Sequence, residues 1–155
     1  MRAVSGATTN GVELEVAGEL LPDWNINAGY VYQASYDADH VRVATTQPQH
    51  LFKAATTYRL PGVLNRAIVG GNVQWQSATF FGDDSFAAAV GPQKFERGSY
   101  ALVGLMASYD FDEHLKGTVN VNNLFDRVYY SGIGNYNTAY YGDPRNVMFN
   151  VKYSF

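Results

Sequence analysis

Arg145-Asn146-Val147-Met148-Phe149-Asn150-Val151-Lys152-Tyr153-Ser154-Phe155 is the stretch that decides the fold. Val147, Phe149, Val151, Tyr153 and Phe155 take every second place, with Asn146, Met148, Asn150, Lys152 and Ser154 between them. Successive side chains of an extended strand point to opposite faces, so the run reads as a strand with two unlike faces. No helical spacing fits it.

Six earlier segments repeat the theme. Val12, Leu14, Val16 and Leu20 alternate with Glu13, Glu15 and Glu19. Trp24, Ile26, Ala28, Tyr30 and Tyr32 alternate with Asn25, Asn27 and Gln33. Phe52, Ala54, Thr56 and Tyr58 alternate with Lys53, Thr57 and Arg59. Val69, Val73 and Trp75 oppose Asn72, Gln74 and Gln76. Ala101, Val103, Leu105 and Tyr109 oppose Tyr100, Gly104 and Ser108. Leu115, Val119 and Val121 oppose Lys116, Thr118, Asn120 and Asn122. The reading is seven strands and no helix.

The connections alternate in length. Leu21-Pro22-Asp23, Pro61 to Asn65 and Asp110 to His114 are short; Asp37 to Gln49, Phe80 to Arg97 and Arg127 to Pro144 are long loops. Short turns at one end and long loops at the other are the pattern of a transmembrane β-barrel.

Composition supports this. Of 155 residues, 16% are charged and 15% aromatic, against about 25% charged in soluble domains. Mean hydropathy is nevertheless −0.21, as a chain with only one apolar face should be. A net charge of −3 argues against a nucleic-acid partner. The longest nearly apolar stretch, Tyr100 to Ala107, falls far short of the ~20 residues of a membrane-spanning helix. Cysteine is absent, which removes disulfides, thiolate metal sites and cysteine nucleophiles. Met1 to Ala7 shows no apolar core of a secretory signal.

Periodicity alone does not say which face is inside. Three features favour a lipid-facing exterior. The apolar face is nearly free of charge, as it must be where a Lys or Arg costs roughly 2–4 kcal/mol at midplane. Trp24, Tyr32, Tyr36, Tyr58, Trp75, Tyr109, Tyr153 and Phe155 lie near strand ends, where interfacial girdles sit. The other face carries Glu13, Glu15, Glu19, Lys53, Arg59, Lys116 and Lys152, too many charges for a packed core.

Towards the C-terminus, Asn122-Asn123-Leu124-Phe125-Asp126 and Tyr129-Tyr130 are followed by Tyr141-Gly142-Asp143-Pro144-Arg145-Asn146 and the strand ending on Phe155. This resembles the end of a TonB-dependent outer-membrane receptor. Gly11-Val12-Glu13-Leu14-Glu15, Trp24 to Tyr32, Gln47-Pro48-Gln49-His50 and Tyr58-Arg59-Leu60-Pro61-Gly62 are similar to the siderophore-receptor branch, the ferripyoverdine and coprogen receptors. The resemblance implies an all-β fold: an antiparallel meander of about seven transmembrane strands, the C-terminal part of a 22-stranded barrel in the outer membrane of a Gram-negative bacterium. Residues 1–10 are then a lead-in and 11–155 barrel, with no plug domain and no TonB box. Implied partners are a ferric siderophore, the missing plug and remaining strands, the TonB complex through the missing N-terminal part, and outer-membrane lipid. Asn123, Leu124, Phe125, Asp126, Gly142, Pro144 and Arg145 carry the motif, and Phe155 matches the family's assembly signal. An open sheet leaves two unpaired edges, which lipid cannot satisfy. An isolated monomer is therefore not expected to insert stably.

Other chemistry is thin. His40, His50 and His114 lack the spacing of a zinc site. Asp37, Asp39, Asp83 and Asp84 read as solvated loop acids without an EF-hand frame. No Gly-x-Ser-x-Gly elbow is present. No catalytic residue, metal ligand or cofactor is assigned. Tyr129, Tyr130, Tyr136, Tyr140 and Tyr141, with Phe80 and Phe81, are the ligand-binding candidates in the long loops. Aromatic rings with polar tips supply area and hydrogen bonds to a flat, metal-chelating ligand. The alternative is an aromatic girdle with loop packing; for Arg145 it is an anchor for the last strand. Two other functions remain open at this point: a structural or adhesive barrel closing by oligomerisation, and a soluble barrel binding a hydrophobic ligand.

Overall fold

A computed structural model describes residues 6–43, 47–83, 93–134 and 138–155. Its body is one antiparallel sheet of seven strands: β1 (Thr8–Leu21), β2 (Trp24–Tyr36), β3 (His50–Arg59), β4 (Ala67–Gln76), β7 (Tyr100–Asp110), β8 (Leu115–Asn122) and β11 (Asn146–Tyr153). These strands pair in that order, an up-and-down meander open at β1 and at β11.

Two long connections are not plain loops. Between β4 and β7 stand β5 (Thr79–Asp83) and β6 (Gln93–Arg97); between β8 and β11 stand β9 (Tyr130–Gly134) and β10 (Thr138–Tyr141). Each pair forms its own two-stranded antiparallel sheet. The expectation of loops over Phe80 to Arg97 and Arg127 to Pro144 is corrected on this point. Both hairpins stand apart from the seven-stranded sheet, so the alternation between its two faces does not mark them.

Register brings the seven apolar sets to one side. Val16 lies opposite Ala28, Ala28 opposite Ala54, Ala54 opposite Val73, and Val73 opposite Val103. Leu105 then meets Val121, which meets Val147. The other face runs from Glu15 through Gly29 and Lys53 to Gln74, and includes Asn72, Thr118, Lys116 and Lys152. A one-residue slip in any pair would exchange the two faces, so burial against hydrocarbon specifies this register.

Almost nothing is buried within the chain. Ala34 and Tyr100, with Pro48 and Gly104, are the buried apolar residues among those described, whereas Phe149 is 77% and Val151 72% exposed. A single sheet with one bare apolar face has no second layer to cover it, and water does not support such a fold. Two aromatic belts bracket the face. Trp24, Tyr58, Tyr109 and Tyr153 stand at the short-turn end, and Tyr32 and Trp75 toward the other. Trp24 to Tyr32 is about 27 Å along β2 at ~3.4 Å per residue. Tilted by 35–45°, it spans roughly 20 Å, close to the height of an outer-membrane barrel's apolar band.

On the polar face at the short-turn end, Arg59 reaches Asp23 (3.9 Å) and Asp110 (3.8 Å), and Lys116 reaches Asp110 (3.5 Å). These groups are partly exposed and contribute at most about 1 kcal/mol each.

Candidate functional site

The long-connection end gathers the chemistry. Here β8 passes into Asn123-Leu124-Phe125-Asp126, a tight turn in which Asn123 and Asp126 hold positive φ (48° and 52°). Asn and Asp tolerate this region better than other non-glycine residues. Asn123 is buried, and its side-chain amide makes three hydrogen bonds. Nδ2 donates to the carbonyls of Arg127 (2.9 Å) and Asp143 (3.0 Å), and Oδ1 accepts from the Arg127 N–H (2.9 Å). The Leu124 N–H donates to the Val103 carbonyl (2.8 Å), and Asp126 Oδ1 accepts from the Arg145 N–H (2.8 Å). These bonds tie the end of β8 to β7 and to the start of β11. Phe125 is exposed. Pro144 lends its carbonyl to the Asn146 side chain (3.1 Å).

The adjacent tyrosines Tyr129 and Tyr130 part company. Tyr129 packs on buried Tyr100, ring centroids 4.6 Å apart, and covers Gly142 so closely that a Cβ there would fall inside its ring. The Gly142 N–H donates to the Tyr129 carbonyl (2.9 Å). Tyr130 stacks on Tyr141 across the β9–β10 hairpin, centroids 4.8 Å apart, and donates its hydroxyl proton to the Tyr141 oxygen (3.3 Å). That bond holds the Tyr130 phenol above its ordinary range, with the neighbouring Tyr141 charge acting the same way. Tyr140 and Tyr141 are well exposed, at 60% and 68%. The pair therefore presents an open aromatic surface with two hydroxyls.

Phe80, on β5, lies under the Arg42 guanidinium, 5.2 Å from the ring centroid. Phe81 also belongs to β5. Tyr136 lies outside the described residues. Phe155 follows β11 at the opposite, short-turn end, its ring edge-on to Tyr153 (5.2 Å). The candidates thus form three groups: the Tyr130–Tyr141–Tyr140 hairpin, the Phe80–Arg42 contact, and Tyr129 in the packing beneath.

Arg97 is a residue that sequence reading passed over. It is 5% exposed, its Nε donates to Thr79 Oγ1 (3.1 Å), and its Nη1 donates to the Ser131 carbonyl (2.9 Å). Thr79 opens β5 and Ser131 lies on β9, so one guanidinium joins the two hairpins. Gln76 ends β4 with a buried Nε2 that meets no hydrogen-bond acceptor among the described residues. Nothing local marks Arg97; its partners are 18 and 34 residues away.

The family model described as "TonB dependent receptor-like, beta-barrel" matches residues 1–124. The chain is 46% identical over 153 residues to the ferric-pyoverdine BN7/BN8 receptor of Pseudomonas putida, covering 99% of this chain and 18% of that receptor. To the ferripyoverdine receptor of Pseudomonas aeruginosa it is 40% identical over 149 residues, 96% of this chain and 18% of the receptor. The crystal structure of the P. aeruginosa outer-membrane receptor bound to ferripyoverdine superposes with a TM-score of 0.88, covering 96% of this chain and 20% of that one. The chain thus spans about a fifth of the length of the receptors it matches. With the sheet, its two faces and the matching family model in agreement, this chain belongs to the TonB-dependent receptor β-barrel family.

Proposed function

We propose that this chain forms part of the wall of an outer-membrane barrel that takes ferric siderophores of the pyoverdine class into a Gram-negative cell, with energy from the TonB complex. The observation that carries the reading is one sheet joining an uncharged, largely apolar face to an aromatic, hydroxyl-bearing end. The likeness to ferric-pyoverdine receptors supports the ligand class. Such a protein is a receptor and not an enzyme, since the ligand is moved with no bond broken.

The parts follow from chemistry. The apolar face lies against lipid. The polar face, with Glu13, Glu15, Lys53, Lys116 and Lys152, lines the lumen and meets a plug domain. The open edges of β1 and β11 pair with further strands, because backbone N–H and C=O groups have no other partner in hydrocarbon. Tyr130, Tyr140 and Tyr141 offer ring faces and hydroxyls to the iron chelate, and TonB acts on the plug side, away from these strands.

The test is uptake of radiolabelled ferric pyoverdines by cells lacking the gene that encodes this chain, beside cells in which it is restored. Uptake of at least one should fall to background and return on complementation. Unchanged uptake of every ferric siderophore in a panel of pyoverdines and catecholates refutes the reading.

A further inference from the structure

The apolar face is not smooth. Leu21, Trp24, Tyr58, Val69 and Leu105 surround a hollow of about 840 Å³ floored by Thr56 and the Gly70–Gly71 backbone. Register explains it. Thr56, Gly71 and Leu105 stand in one row across β3, β4 and β7, with Ile26 beyond Thr56, and the Gly71 place in that row has no side chain. A second hollow of about 310 Å³ shares Thr56, Gly71 and Leu105 and continues to Val73 and Val103. Val69 to Val73 covers about 14 Å at ~3.4 Å per residue. The two hollows make a furrow running along the strands from the short-turn end towards the middle of the face.

Its polar atoms are already engaged. Trp24 Nε1 donates to Thr56 Oγ1 (2.8 Å), and Thr56 Oγ1 donates to the Asn25 carbonyl (2.8 Å). What remains for an occupant is hydrocarbon surface. The rim is Trp24 packed edge-on against Tyr58, centroids 6.4 Å apart, and an aromatic belt of this kind sits at headgroup level. The furrow is also continuous with the face that lies against the membrane. We propose that it holds one acyl chain of a glycerophospholipid, from the leaflet at the short-turn end, as a bound ligand rather than as freely exchanging solvent. The proposal rests on the transmembrane fold and not on the transport reading, and siderophore uptake is not its readout.

Gly71 gives the test. A Cβ there meets the Gly104 carbonyl oxygen at 3.4 Å and Leu105 Cδ2 at 3.6 Å, ordinary contacts, whereas one on Gly70 would stand 2.7 Å from the Thr56 carbonyl oxygen. The Cβ of a larger residue at Gly71 therefore fits without moving backbone, and Gly71→Leu is the variant that puts a side chain into the furrow. The full-length receptor containing this chain is purified in mild detergent, loaded with palmitoyl-oleoyl phosphatidylethanolamine and weighed by native mass spectrometry. The wild type should retain one phospholipid, and Gly71→Leu should lower the retained fraction at least fivefold. Ala28→Leu, which adds one carbon less to the apolar face at a position that does not line the furrow, should leave it unchanged. Exchange for phosphatidylglycerol should also leave it unchanged, since the contact is with the chain and not the headgroup. Equal retention by wild type and Gly71→Leu, a matching loss in Ala28→Leu, dependence on headgroup, or no retention at all overturns the assignment. A second measurement needs no furrow variant. With phospholipid brominated along its acyl chains, the bromine-sensitive fluorescence should fall more on Trp24→Phe than on Trp75→Phe; an equal fall overturns the proposal as well.

Discussion

Replacing Arg97 by Met tests whether the two hairpins at the long-connection end act as one body. The substitution keeps much of the length and removes every guanidinium donor. Arg97 is 5% exposed, and its bonds include those to Thr79 Oγ1 and the Ser131 carbonyl. Ser131 is exposed, so its carbonyl regains water when the guanidinium leaves. Thr79 is 3% exposed and does not. The loss is then dominated by one charge-assisted bond to a buried partner, about 1.5–3 kcal/mol. The methionine also spares the desolvation of a buried charge, which pulls the figure towards its lower end. At 1.4 kcal/mol per factor of ten, hairpin opening becomes roughly tenfold to 150-fold more frequent. Hydrogen exchange read by mass spectrometry on the receptor in detergent is the assay. Protection should fall by that factor over 79–83 and 93–97 and also over 130–134, while β2 and β3 keep theirs. Faster exchange confined to β5 and β6, with β9 untouched, would refute the idea that Arg97 couples the hairpins.

Three further outcomes follow from the same geometry. Asn123→Ala removes three hydrogen bonds and places an ill-suited residue at positive φ; it should cost about 2–4 kcal/mol and lower the temperature at which the barrel loses its compact migration in unheated SDS gels, with Asn123→Asp recovering part. Tyr130 should titrate above an ordinary phenol in a ¹³Cζ-tyrosine NMR experiment, and Tyr141→Phe should bring it down, because the first cause of the shift is the hydrogen bond to Tyr141. The folded-state pKa is raised, so this contribution to hairpin stability is fully present below the unfolded phenol's pKa and is lost as pH rises through the folded one. Val16→Lys places a charge on the apolar face near midspan and should lower folding into lipid vesicles by about 2–4 kcal/mol, whereas Ala17→Lys, one residue along on the polar face, should change it little.

What could be read from the chain alone divides along a physical line. The seven sheet strands were legible because each meets two different solvents, and that difference writes a period of two into residues such as Val147 to Tyr153. The hairpins were not, because Thr79–Asp83 and Tyr130–Gly134 lie outside the seven-stranded sheet whose two unlike faces enforce alternation. Adjacent Phe80 and Phe81, or Tyr140 and Tyr141, carry no strand signal for the same reason. The candidate site divides likewise. Its aromatic residues were visible as composition, but their roles depend on strand parity: Tyr129 turns inward onto Tyr100 and Gly142, while Tyr130 turns out to stack on Tyr141. Arg97 was invisible, since its burial arises only when Thr79 and Ser131 converge on it from two separate connections. The membrane specifies this sheet by patterning each strand independently. Away from the membrane specificity passes to a few long-range polar contacts, Asn123 and Arg97 foremost, so substitutions there should loosen the long-connection end while the seven-stranded sheet stays intact.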